Sequence, residues 1–160
     1  MGKSSLINAL VGRRIANVSG TPGKTRALNV YAVPGLPSFY LLDLPGYGYA
    51  RVSKAERDAF ANIVRHVLTR PRLAGIVWLL DLRRDPSTGD RDMQDLLAGA
   101  GTRVLAAATK SDKLSRAHRD EQARALRQTL GLDDDQLVVT SAQTKAGLDE
   151  LREAVAALVS

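Results

Sequence analysis

Gly2-Lys3-Ser4-Ser5 places an ammonium, two hydroxyls and a row of backbone N–H groups at the opening of a helix-like run, Ser5-Leu6-Ile7-Asn8-Ala9-Leu10. That set of groups suits a polyphosphate. First-turn N–H groups favour an anion. Lys3 is placed to reach β- and γ-phosphate oxygens, and Ser4 to offer its hydroxyl to Mg²⁺. Ser5 is placed for the α-phosphate. The run is the second half of the pattern Gly-x-x-x-x-Gly-Lys-Ser/Thr, which follows a β-strand and opens a helix. Here no strand precedes it.

Further motifs of the same chemistry follow in order. Thr21-Pro22-Gly23-Lys24-Thr25-Arg26 supplies Thr25 as a second Mg²⁺ ligand, one that contacts metal and γ-phosphate only in the triphosphate state. Gly20, Pro22 and Gly23 make that segment, with Lys24, a loop able to order or release with the nucleotide. Asp43-Leu44-Pro45-Gly46 ends the apolar run Phe39-Tyr40-Leu41-Leu42. Asp43 at a strand end can hold Mg²⁺ through water. Gly46, lacking Cβ, can bring its N–H to the γ-phosphate. Lys3, Thr25 and Gly46 are the candidate catalytic residues.

Thr109-Lys110-Ser111-Asp112 ends the run Val104-Leu105-Ala106-Ala107-Ala108. The Asp112 carboxylate can accept from both N1–H and the N2 amino group of guanine, and the Lys110 stem can lie over the base. Adenine offers neither donor, and a site built on such bonds discriminates by roughly 10⁴ or more. Thr140-Ser141-Ala142, after Leu137-Val138-Val139, would close the pocket, Ala142 through its N–H to guanine O6. Each motif alone is an ordinary strand-end turn. The ordered set reads as GTP binding and hydrolysis.

The elements that must position these groups alternate between β-like and helical runs, which predicts an α/β fold with a mostly parallel sheet. Strands are expected at Ala27 to Val33 and Ser38 to Asp43, joined by Pro34-Gly35-Leu36-Pro37 as a hairpin with one antiparallel edge pair. Gly75 to Asp81, Arg103 to Thr109 and Gln136 to Thr140 are the remaining strands. Helices are expected at Ser53 to Arg70, Gly89 to Ala100, Ser115 to Leu130 and Ala146 to Leu158. Ser53 and Glu56 form a capping box, and Phe60, Ile63, Val64, Val67 and Leu68 an apolar stripe. Pro71 stops that helix, and Gly131 caps the Arg-rich one. Trp78 is expected in the core. His66 and His118 are read as surface residues, and Asp133-Asp134-Asp135 as a solvated turn.

Length and composition bound the class. The 160 residues form one domain, with 44% apolar content for its core. The chain has no cysteine, so it has neither a disulfide framework nor thiol chemistry. No apolar run reaches roughly 18 residues and no signal peptide is evident, so a cytoplasmic protein without membrane contact is expected. The net charge of +6 and sequence pI near 10.0 permit phosphate neutralisation on a nucleic acid.

Taken together, these residues resemble the translation-factor-related GTPases, and within them the EngB family (YihA/YsxC) of the TrmE-Era-EngA-EngB-Septin-like superfamily. The carrying signatures are Gly2 to Asn8, Thr21 to Thr25, Asp43-Leu44-Pro45-Gly46-Tyr47-Gly48-Tyr49-Ala50, Asp81-Leu82-Arg83 and Thr109 to Leu114. The resemblance covers essentially the whole chain and implies a Ras-like P-loop NTPase fold of three α/β/α layers. It implies slow, Mg²⁺-dependent GTP hydrolysis by a monomer. It also implies a switch role in large (50S) ribosomal subunit assembly with an rRNA partner and no DNA, and a part in cell division and septation.

Two departures stand out. The opening strand of the fold and the first half of its P-loop are not in the chain, so two unpaired strand edges are expected. A GTG valine codon read as initiator Met would account for this. Second, Tyr47 stands where Ras-like enzymes carry a water-orienting Gln. Related GTPases use K⁺, held partly by a P-loop Asn at a position that falls before Met1. Arg26, Arg83 and Arg84 are further candidates to assist hydrolysis, or to lie on the surface or contact RNA. The alternative is a non-enzymatic RNA- or ribosome-binding remnant with impaired nucleotide binding.

Overall fold

The computed structural model describes residues 3–11, 29–34, 38–44 and 53–160. Three parallel strands form its centre: β3 (Ile76–Asp81), β4 (Val104–Thr109) and β5 (Leu137–Val139), in the order β3-β4-β5. Helices cover both faces, so the strands are near-continuous apolar runs rather than alternating ones. β4, in the middle, carries Ala106, Ala107 and Ala108, all fully buried. These small side chains let helices approach from both sides.

One face takes α1 (Lys3–Val11) and α5 (Leu148–Val159). Leu6, Leu148 and Leu151 pack there on Leu105, Ala107 and Val138. The other face takes α2 (Lys54–Leu68), α3 (Thr88–Ala98) and α4 (Arg116–Leu130). Val64, Met93, Leu97, Ala123 and Leu126 pack there on Trp78, Leu80, Ala106 and Ala108. The result is the expected α/β/α sandwich, with Trp78 in its core.

β1 (Asn29–Val33) and β2 (Phe39–Asp43) form the expected antiparallel hairpin, with Asn29 opposite Asp43 and Val33 opposite Phe39. Among the described residues no ladder joins β2 to β3.

Helix boundaries follow local chemistry. The Ser53 hydroxyl accepts from the Glu56 N–H at 3.1 Å, and α2 ends before Pro71. The reciprocal capping box forms on α3 instead, between Ser87 and Asp90. Ser115 caps α4, and Gly131 ends it in the left-handed conformation at φ 63°. One position of the α2 stripe differs from expectation: Ile63 is exposed, while Val64 and Val67 are buried. A 3.6-residue period centred between 64 and 67 puts residue 63 at the rim of the stripe, where it is 37% exposed. His66 and His118 are exposed, and Asp134–Gln136 is a single 3₁₀ turn.

Candidate functional site

The candidate residues gather at the C-terminal ends of strands, where ligands bind in open α/β sheets. Asp43 is the last residue of β2, Asp81 of β3 and Thr109 of β4, and Thr140-Ser141 follows β5. At the phosphate-facing end, α1 carries Lys3 in its first turn, with partly buried Ser4 and Ser5 beside it. Its other end is tied down by Arg152 of α5. Arg152 Nε donates to the Leu10 carbonyl at 3.0 Å and Nη2 to the Ala9 carbonyl at 2.5 Å. Asp149 orients that guanidinium at 2.9 Å. A cation on the terminal carbonyls of a helix is favourable.

Lys3 Nζ lies 2.6 Å from Asp43 Oδ1 and also donates to the Leu44 carbonyl. Asp43 is only 4% exposed, and among the described residues the Lys3 ammonium is the charge that compensates it. A buried carboxylate of this kind fits a hard cation such as Mg²⁺. Tyr31 lies close enough to register this charge: its phenol is pushed up by burial and then by Asp43. Gly2, Gly23, Lys24, Thr25, Pro45 and Gly46 lie outside the described residues.

The base-facing end is built from two loops stitched together. The Ser141 hydroxyl donates to Asp112 Oδ1 at 2.8 Å, and the Thr144 N–H donates to Ser141 Oγ at 3.1 Å. The Ser111 N–H donates to the Thr140 carbonyl at 3.2 Å. Arg119 Nε reaches the carbonyls of Ser111 at 2.7 Å and Leu114 at 2.9 Å. The Ser141 bond, more than any other influence, holds the Asp112 carboxyl below its ordinary range. Lys110 sits in the left-handed region at φ 64°, a strained place for a side-chain-bearing residue.

The threonines of the two motifs point elsewhere. Thr109 Oγ1 donates to the Leu80 carbonyl at 3.1 Å, and Thr140 Oγ1 to the Ala108 carbonyl at 3.1 Å. Both hydroxyls fasten strands, leaving the partly exposed Lys110, Asp112 and Ala142 at the loop surface over the fully buried Ser141.

Three residues that shape the site were not assigned roles from the sequence. Gly147 opens α5 at φ 73°, where a Cβ would meet the Val139 carbonyl oxygen at 2.0 Å. That close approach sets the return of the Ser141 loop, whose N–H donates to the Ala146 carbonyl at 3.0 Å. The glycine just before an amphipathic run was the available signal. Arg152 gave none, because its partners are main-chain atoms of a distant helix. Asp81 stood inside a recognised signature, but its partners were visible only in the fold. They include Arg83 and Arg84, whose guanidinium groups engage Asp81 at 2.9 and 3.3 Å.

Strand ends with a lysine–aspartate pair on one side and a stitched Lys110–Asp112–Ser141 loop on the other define a guanine-nucleotide-binding P-loop domain. The family model described as "50S ribosome-binding GTPase" matches residues 1–110. All of the chain aligns at 46% identity with 78% of the probable GTP-binding protein EngB of Gemmatimonas aurantiaca. It aligns at 39% identity with 83% of its namesake from Bacillus subtilis. The chain belongs to the EngB family of GTP-binding proteins.

Solved structures agree on the fold. A probable GTP-binding protein EngB superposes with a TM-score of 0.79 at 19% identity, over 99% of this chain and 92% of that one. Era in complex with MgGDPNP and nucleotides 1506–1542 of 16S ribosomal RNA superposes with a TM-score of 0.80 at 23% identity, over 98% and 52%. No helix among the described residues is long and apolar enough to cross a membrane.

Proposed function

We propose that this chain binds GTP and GDP at these strand ends and hydrolyses GTP slowly, as a switch in assembly of the large ribosomal subunit. The observation that carries the reading is the Asp112 carboxylate, oriented at 2.8 Å by Ser141 beside Lys110. An ionised, partly exposed carboxylate fixed in direction suits the paired N–H donors of guanine and leaves adenine unmatched. Lys3 would turn from Asp43 to the β- and γ-phosphates. Asp43 through water, Ser4 and Thr25 would hold Mg²⁺, which when bound offsets phosphate charge. Gly2, Ser5, Gly23, Lys24, Leu44, Pro45 and Gly46 would complete the phosphate contacts, and Ala142 would donate its N–H to guanine O6. Thr109, Ser111 and Thr140 hold the loops in place.

The family description, 50S ribosome-binding GTPase, supports a ribosomal partner, as does the +6 charge. An rRNA contact, cytoplasmic location, monomeric state, use of K⁺ and an influence on cell division and septation belong to the same reading.

The test is a titration of fluorescent GDP with Mg²⁺, followed by competition. GTP should compete and ATP should not. Co-sedimentation with 50S subunits should require a GTP analogue and be lost in Lys3→Ala. Binding to subunits that ignores nucleotide and survives Lys3→Ala would overturn the switch.

A further inference from the structure

Asp81 closes β3 directly opposite Thr109 in the β3–β4 register, one residue before Lys110 begins the base-facing loop. Its carboxylate gathers several donors. The Arg83 N–H and Nε reach Oδ1, each at 3.0 Å, and Arg83 Nη2 reaches Oδ2 at 2.9 Å. Arg84 Nη2 reaches Oδ2 at 3.3 Å, and Lys110 Nζ lies 3.5 Å from the same oxygen. The Asp81 side chain is only 13% exposed. This cluster has no part in the phosphate chemistry described above.

We infer that Asp81 is a positioning residue for guanine recognition, pinning the Lys110 ammonium so that its aliphatic stem stands as a fixed wall of the base pocket. The inference rests on the guanine-nucleotide reading of the site.

Two physical arguments support it. A lysine carries substantial rotamer freedom, and a stem fixed before the ligand arrives loses none of it on binding. Second, a free ammonium at residue 110 would compete for the Asp112 carboxylate two residues away, which must accept from the base. A second carboxylate at Asp81 draws it aside. The Arg83 fork holds that carboxylate in one orientation, and Arg83 itself feels the Asp112 charge, so the two carboxylates share one electrostatic neighbourhood. Burial tends to raise the Asp81 carboxyl, but the Arg83 bonds and the Lys110 charge outweigh it and hold the group ionised.

The experiment is a double-mutant cycle on the full chain with Asp81→Asn and Lys110→Met, read by GDP and GTP affinity and by thermal melting. Met keeps the stem and removes the ammonium. Asp81→Asn is expected to weaken GDP and GTP equally, by about tenfold, and to add nothing in the Lys110→Met background. Arg83→Ala, which keeps the carboxylate and removes its clamp, should cost about twofold to threefold. An Asp81→Asn loss that persists undiminished in the Lys110→Met background would mean a merely structural role and overturn the inference. So would wild-type affinity in Lys110→Met, which decides the matter even if Asp81→Asn fails to fold. Absence of guanine-nucleotide binding by the wild-type chain would instead bring down the underlying reading and this inference with it.

Discussion

The two ends of the nucleotide site are built on opposite plans. At the base-facing end, Asp112, Ser141, Lys110 and Asp81 each have partners within the protein, and main-chain bonds lock the loops to one another. At the phosphate-facing end, Lys3 and Asp43 lean chiefly on each other, at 2.6 Å, among the described residues. A preassembled region can discriminate without rearranging. A region whose charges merely neutralise one another has to exchange partners when phosphate and metal arrive. On the function proposed above, reading of the base and sensing of the phosphates would thus be separated along the strand ends.

The largest effect expected on this contrast comes from Asp112→Asn. The amide oxygen can still accept from Ser141, so folding stability should stay within about 0.5 kcal/mol. The reading changes, because an amide offers donors where guanine also has donors. GDP affinity should fall by about 10³ or more, while xanthosine diphosphate, with a C2 carbonyl, should gain. Competition titrations with the two nucleotides measure this. An equal loss for both would show that the base end is not preassembled in the way described.

Gly147→Ala comes next. Its Cβ would sit 2.0 Å from a main-chain oxygen at a positive φ. Because backbone cannot swing aside as a side chain can, a loss of about 3 kcal/mol or more is expected, seen as a lowered melting temperature. The Ser141 loop should move with it, so GDP affinity falls as well.

Much of this plan was legible in the sequence, and the gaps have physical causes. The parallel strands were visible because both of their faces are buried and the runs are continuous, as in Val104 to Ala108. Caps at Ser53 and Gly131 act through neighbours three or four residues away, and local pattern shows them. The places of Asp43 at the end of β2 and of Asp112 just after β4 were legible because each follows directly on an apolar run. Arg152 was not, since the carbonyls it holds lie on a helix more than 140 residues away and are main-chain oxygens common to every residue; nor was the link from Asp81 to Lys110, which joins two strand ends that only the fold brings together. Thr109 and Thr140 belong to recognised motifs, yet their hydroxyls fasten strands. A motif marks a place in the chain and does not say which atoms face the ligand.

Arg152→Ala would sharpen the comparison from the phosphate side. It removes the cation that holds the Ala9 and Leu10 carbonyls, and with it the anchor of the helix that presents Lys3. About 1 kcal/mol of stability should be lost. Guanosine, which has no phosphate, should bind as before, whereas GTP should bind a few-fold more weakly. Calorimetry with the two ligands checks it. An equal loss for both would mean that α1 and the base loops are coupled.

The smallest effect is one of acid. In the folded chain the Asp112 carboxyl is lowered first by the Ser141 bond, and the Asp81 carboxyl is lowered by Arg83 and Lys110 despite burial. A carboxyl lowered in the folded state binds fewer protons there than in the unfolded chain. Its contribution to stability is therefore complete above the ordinary Asp range near pH 4, and drains away as pH falls through the lowered value. The urea midpoint, as far as these two groups set it, should be flat from about pH 7 to about pH 5 and decline below about pH 4. Asp81→Asn should make that decline shallower, because one of the two groups no longer titrates. A decline of unchanged steepness in Asp81→Asn would place the acid sensitivity outside the Arg83–Lys110 cluster, and would argue that the base-facing end owes its order to the Ser141 and Thr140 bonds alone.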